Sequence, residues 1–152
     1  MKALVCTTPH QFDYTVAPMP VAGDVETLLK IERIGICGTD LHAYEGTQPY
    51  FNYPRILGHE LAATIVNTNA SGFNIGDAVT IIPYMHCGQC IACKTGKHNC
   101  CVNMQVFGVH IDGGMREYVT VPDTALVKRF KSQQIFIEDL KVKVDNTSVC
   151  KS

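Results

Sequence analysis

The sequence contains no tryptophan, no internal repeat and no low-complexity tract. Its charge is nearly balanced, with 13 Lys and Arg against 14 Asp and Glu. A net charge of -1 supplies no basic stripe, which excludes a nucleic-acid surface built on phosphate attraction. No apolar run approaches the roughly 20 residues that a membrane-spanning helix needs. The opening residues MKALVCTTPH carry one lysine and a few apolar residues before turning polar, without the apolar stretch of a secretory leader. We therefore expect a cytoplasmic protein with no membrane partner, in a compartment where thiols stay reduced. That setting shifts the eight cysteines away from disulfides and towards metal binding or catalysis. At 152 residues the chain is long enough for one domain with its own core.

Residues 1–127 have the pattern of a mostly β domain. In TLLKIERIGI, Leu29 and Ile31 alternate with Lys30 and Glu32, the period of a half-buried strand. VAPMPVAGD before it is punctuated by Pro18, Pro20 and Gly23. Further short strands are predicted at LAATIV (61–66), AVTIIP (78–83) and REYVTVP (116–122), with a loop at SGFNIGD. Short strands with frequent turns suggest a compact barrel or sandwich. One helix is predicted from Thr39 to Glu45, with Gly38 or Thr39 as its cap and Gly46 as its end. Residues 128–152 hold no glycine or proline and more charge, and form a separate C-terminal segment to which the pattern assigns no definite structure, with IFI and KVKV as candidate short strands.

Residues 86–101, HCGQCIACKTGKHNCC, pack five cysteines into sixteen positions. Cys87, Cys90, Cys93 and Cys101 give C-x2-C-x2-C-x7-C. Zinc favours four tetrahedral ligands, and four thiolates make a closed structural site. Gly88 and Gly96 supply the backbone freedom that such knuckles need. Cys100 is the spare thiol. The rivals are an iron–sulfur cluster, a redox dithiol and unligated buried cysteines. A ferredoxin-type run also uses C-x2-C-x2-C, but its fourth cysteine precedes a proline, and Val102 follows here.

A second constellation lies in IGICGTDLH (34–42) and LGHE (57–60), which carry Cys37, His42, His59 and Glu60. Mixed Cys, His and carboxylate donors differ in kind from four thiolates. Catalytic zinc is held by about three protein ligands and keeps one position open for Lewis-acid chemistry.

GICGTDLH, YPRILGHE, SGFNIGDAV, the cysteine lobe and GGMREYVTVP occur in that order. Together they resemble the medium-chain zinc-dependent alcohol dehydrogenase family, with most likeness to its polyol (sorbitol-type) and threonine dehydrogenase branch. The resemblance runs from residue 1 to about 127. It implies a GroES-like β-barrel catalytic domain with short helices, carrying the zinc lobe at 86–101. It further implies Cys37 and His59 as catalytic zinc ligands, with Glu60 as a third or exchanging ligand. Asp40 would hold the far nitrogen of His59, Thr39 would bond the substrate hydroxyl, and His42 would pass its proton to solvent. Cys87, Cys90, Cys93 and Cys101 would hold a structural zinc. Tyr50, Phe51 and Tyr53 are candidates for the substrate mouth, with loop packing as the plainer role. The substrate class implied is a small alcohol or polyol, oxidised with NAD(P) as hydride acceptor. Family members are dimers or tetramers, so a homo-oligomer is compatible with the resemblance.

The chain departs from the family in three ways. Ala63 and Asn69 stand where glycine and a small residue are usual. No G-x-G-x-x-G-like turn of a Rossmann domain occurs, and the nearest feature is GGM at 113–115. No further ligand sits in the expected pattern after residue 127, where Glu138, Asp139 and Cys150 are the available groups. The expectation is a zinc-binding catalytic domain that does not turn over by itself. The alternative is a non-catalytic zinc-binding barrel serving as a structural or interaction module. Retention of Cys37, His59 and Glu60 argues against that alternative, since a module needs only the cysteine lobe.

Overall fold

The computed structural model describes residues 1–49 and 51–128. The expected strands at IFI and KVKV, the groups Glu138, Asp139 and Cys150, and Tyr50 lie outside the described residues.

Strands β1 (Lys2–Thr8) and β2 (Gln11–Val16) form an antiparallel hairpin, with Leu4 opposite Tyr14. Strand β3 (Glu26–Gly35) is the longest and lies between β4 (Glu60–Asn67) and β8 (Tyr118–Pro122). With β5 (Ala78–Ile81) and β9 (Leu126–Lys128) they make a five-stranded antiparallel sheet in the order β8-β3-β4-β5-β9. The expected compositional boundary after residue 127 falls within β9. A two-stranded ribbon, β6 (Tyr84–Met85) with β7 (Gln105–Val106), closes the base of the cysteine lobe. Helix α1 spans Gly38–Glu45, and the short helix α2 spans Ile91–Lys94.

Alternation along these strands builds the core. Leu61, Ala63 and Ile65 of β4 point inward, as do Val79 and Ile81 of β5 and Val119 and Val121 of β8. They pack with Leu29, Phe107 and Leu126 in one cluster. Each fully buried side chain of this size contributes roughly 1.5–3 kcal/mol. Ala63, one of the departures from the family, is buried in this cluster, so the extra methyl is used in packing. A second, smaller cluster joins Cys6 of β1, Ala43 of α1 and Leu57, with Phe12, Phe51, Tyr53 and Met115 against it. It pins the helix to the hairpin and to the residues before His59. Phe51 and Tyr53 meet edge to face at 4.8 Å and belong to this packing.

The expected mostly β architecture with short helices is present, and among the described residues its main sheet is open, with β8 and β9 as edges. The hairpin approaches β8 only through the isolated bridge Ala3–Arg116, and single hydrogen bonds such as Leu4 N–H to Met115 O replace a continuous ladder. The helix cap is neither Gly38 nor Thr39 but Cys37. No helix among the described residues is long and apolar enough to cross a membrane.

Candidate metal centres

The register of β3 slips by one residue against β4, since Ile31 faces Ala63 but Arg33 faces Ala62. Such a bulge leaves one residue unpaired and turns the strand. It brings the end of β3 into α1, and Cys37 becomes the helix N-cap in an extended conformation. Its Sγ accepts a hydrogen bond from Thr39 N–H at 3.3 Å. Asp40 completes a capping box, with Oδ2 accepting from Cys37 N–H at 3.0 Å.

Asp40 is 4% exposed. Its other oxygen, Oδ1, accepts from Gly58 N–H at 3.1 Å. Gly58 adopts a left-handed φ of 88°, and a Cβ there would press on Ile34 and Met115 at 3.1 Å. Only glycine fits, and this conformation delivers His59 to the site. The Nε2 of His59 lies 3.1 Å from Cys37 Sγ. Its Nδ1 lies 3.7 Å from Asp40 Oδ1 and is buried without a hydrogen bond. One face of the imidazole thus meets sulfur and the other meets carboxylate. The expected hydrogen bond from Asp40 to the far nitrogen of His59 is not made here, because 3.7 Å is beyond hydrogen-bond reach, although the carboxylate stands beside that nitrogen.

The ligand atoms of Cys37, Asp40 and His59 lie within 4.8 Å of one another. Both Asp40 oxygens already accept backbone N–H bonds. Glu60 is not in this group. It begins β4 exposed, and its carboxylate lies over Gly35. Thr39 is half-buried beside Cys37. His42 is exposed one turn on, with Nδ1 3.2 Å from Thr47 Oγ1 and 3.6 Å from Glu45.

In the lobe, the sulfurs of Cys87, Cys90, Cys93 and Cys101 lie within 4.8 Å of one another. Cys90 and Cys93 are 3.5 Å apart, too far for a disulfide bond. Cys93 and Cys101 are buried, whereas Cys100 is exposed and outside the cluster. The amide N–H groups of Cys93 and Val102 pull the Cys90 thiol down to about 6. Those of Gln89 and Cys90 lower Cys87. Burial, and then the neighbouring Cys90, push Cys93 up to about 12. Four thiols this close cannot all ionise without a cation among them, and amides aimed at two of them favour the thiolate. This donor set fits a closed four-thiolate zinc site. The sulfur and imidazole of Cys37 and His59 fit a more open one.

A groove of about 550 Å³ runs between the hairpin and the end of β3, with Leu4, Tyr14, Ile34 and Ile36 in its walls. Neither Cys37 nor His59 lines it, so this cavity is not the site. Sequence reasoning took 113–122 as a motif and a strand and overlooked Asp112. The structure sets Asp112 against the backbone before His59. The acidic residue directly before the GGM turn was the available signal.

Residues 23–131 match the model of the alcohol dehydrogenase GroES-like domain. The L-galactonate-5-dehydrogenase of Escherichia coli K12 is 48% identical over 124 residues, covering 80% of this chain and 36% of that protein. An uncharacterized zinc-type alcohol dehydrogenase-like protein of Haemophilus influenzae is 41% identical over 131 residues, covering 84% and 38%. Among solved structures, a short chain alcohol dehydrogenase from Escherichia coli CFT073 complexed with NADH superposes with a TM-score of 0.78. It is 35% identical, with 87% of this chain and 39% of that one covered. The chain thus spans little more than a third of the length of these relatives.

Proposed function

The chain belongs to the zinc-dependent alcohol dehydrogenase family through its GroES-like domain, and from that premise we propose that it carries the metal-binding chemistry of a dehydrogenase that oxidises a secondary alcohol to a ketone, with NAD(P) as hydride acceptor. The observation that carries the reading is the facing of Cys37 Sγ and His59 Nε2 at 3.1 Å, with buried Asp40 behind the ring.

Cys37 and His59 hold the catalytic zinc in this reading. Zinc bound there supplies Lewis-acid polarisation of the substrate oxygen. Asp40 selects the tautomer of His59 that leaves Nε2 free to ligate. Glu60 serves as the exchanging ligand and has to leave its position over Gly35 to reach the site. Thr39 and His42 stand three apart on α1, a spacing that puts both on one helix face. Thr39 bonds the substrate hydroxyl, and His42 hands the proton to solvent. Cys87, Cys90, Cys93 and Cys101 hold a second zinc that braces the lobe. The clustered thiols fit a reducing, cytoplasmic setting.

The substrate is a polyol or a sugar acid, in keeping with the relative named for L-galactonate. A purely structural module would need only the cysteine lobe and leaves the alignment of Cys37, His59 and Asp40 unused. The test joins residues 1–128 to the remaining part of the L-galactonate-5-dehydrogenase and follows NAD(P) reduction with secondary polyols and sugar acids. The reading expects turnover that vanishes in Cys37→Ser and His59→Ala. Turnover unchanged in Cys37→Ser contradicts it, as does a fusion that binds NADH but oxidises no secondary alcohol.

A further inference from the structure

We infer that Asp112 is a positioning residue for the His59 side of the catalytic metal site, through its grip on the backbone that leads into His59. The inference rests on the reading of Cys37 and His59 as metal ligands.

Residues 56–58 are held from two sides. From α1, Asp40 takes the amide of Gly58. From the opposite side, residues 112–115 lie along the segment. Gly113 N–H donates to Ile56 O at 2.7 Å, Gly114 N–H to Gly58 O at 2.8 Å, and Met115 N–H to Leu57 O at 2.9 Å. One side chain from that loop joins them, since Asp112 Oδ1 accepts from Ile56 N–H at 3.1 Å. The fit is tight. A Cβ on Gly113 would strike the carbonyls of Gly58 and Leu57. The loop therefore transmits its position to the segment with little slack, and Asp112 fixes the segment where it begins.

Charge strengthens the grip. Arg55 Nη1 donates to the same Asp112 Oδ1 at 3.3 Å, and Arg116 Nη2 donates to the Asp112 carbonyl at 3.4 Å. Two guanidinium groups thus converge on one acidic residue. Their Nε atoms are buried without hydrogen bonds. Removing the carboxylate leaves the Ile56 amide without its acceptor and Arg55 without its ion-pair partner. Ile56 is three residues from His59, and the positioning His59 needs relative to Cys37 Sγ is a matter of tenths of an ångström. The Asp112 side chain is 46% exposed, so truncation opens no cavity and the chain should still fold.

The test is a cobalt(II) titration of the full chain, followed by zinc competition, with the two sites separated by their thiolate-to-metal absorption. Cys37→Ser identifies the mixed site and Cys87→Ser the four-thiolate site. Asp112→Ala is expected to weaken the mixed site about tenfold, the low end for residues that orient metal ligands, and to leave the four-thiolate site unchanged. Asp112→Asn keeps an acceptor for Ile56 N–H and should restore most of the loss. Mixed-site affinity within about twofold of wild type in Asp112→Ala overturns the inference, against that same scale. So does an equal fall at both sites together with the thermal midpoint, which marks a general stabiliser. A wild-type titration with only the four-thiolate class, indifferent to Cys37→Ser, overturns the metal reading itself and the inference with it.

Discussion

Replacing Asp40 by alanine tests whether one buried carboxylate organises the mixed site. Asp40 accepts from Gly58 N–H, a buried bond, and from Cys37 N–H, a partly buried one that forms half of the helix capping box. A buried donor left without an acceptor costs about 1–3 kcal/mol. Loss of an N-terminal capping interaction costs about 0.5–2 kcal/mol. The cap bond and the Cys37 amide are the same interaction, so the two ranges combine to about 1.5–5 kcal/mol, a large share of the 5–15 kcal/mol typical of a whole domain. Asp40→Asn keeps one carbonyl oxygen and should lose about half as much, since it can satisfy only one of the two amides. The assay is urea unfolding of the full chain with a chelator present, so that metal binding does not enter. The midpoint should fall with the slope unchanged. With zinc added the gap should widen, because His59 loses the carboxylate facing its Nδ1. A loss below about 0.5 kcal/mol in Asp40→Ala would refute the reasoning, because that is the size of an ordinary surface substitution.

Stability should also fall in alkali. Burial raises the Cys6 thiol above its usual 9.0, and burial followed by the charge of Cys6 raises the Tyr53 phenol above its usual 10.0. Both groups stay protonated in the fold but ionise at ordinary values once unfolded. Their contribution is therefore intact below pH 9 and declines as pH rises beyond it. Cys6→Ala should flatten the first part of that decline in unfolding midpoints taken across pH; an unchanged slope assigns the decline elsewhere. Gly113→Ala should destabilise by roughly 1–3 kcal/mol, because the added methyl meets backbone carbonyls that no side-chain rotation can clear. Gly38→Ala meets nothing within 4 Å and should stabilise α1 by up to about 1 kcal/mol; equal effects from the two substitutions would contradict the packing described around residues 57, 58 and 113.

The strand read from alternation, β3, and the three further short strands expected, β4, β5 and β8, all exist, and in each a buried face alternates with a more exposed one. The hairpin of β1 and β2 was not legible. Its turn holds Pro9 and His10, and His10 adopts a φ of 66° without the glycine or asparagine that usually marks such a turn. β6 and β7 have two residues each, too few to show a period. The helix was found within a residue, but its cap was not, since a cysteine sulfur is not among the usual capping groups. Cysteine spacing was enough to point to the four lobe residues that the structure gathers, but it left the part of Cys100 open, which the structure places exposed and outside the cluster. Pairing Cys37 with His59 required the resemblance, because 22 residues separate them and no local period links them. Asp112 stayed hidden for a related reason. It acts through a backbone amide 56 residues away, and one sequence does not reveal such a contact.

Zinc per chain, measured by elemental mass spectrometry on the dialysed 152-residue chain, tests the central claim most directly. Two ions are predicted, one lost in Cys37→Ser and the other in Cys87→Ser, as expected for one mixed and one four-thiolate site. A single ion, lost in Cys87→Ser and untouched by Cys37→Ser, would leave a braced lobe without a metal at Cys37 and His59 and would contradict the account.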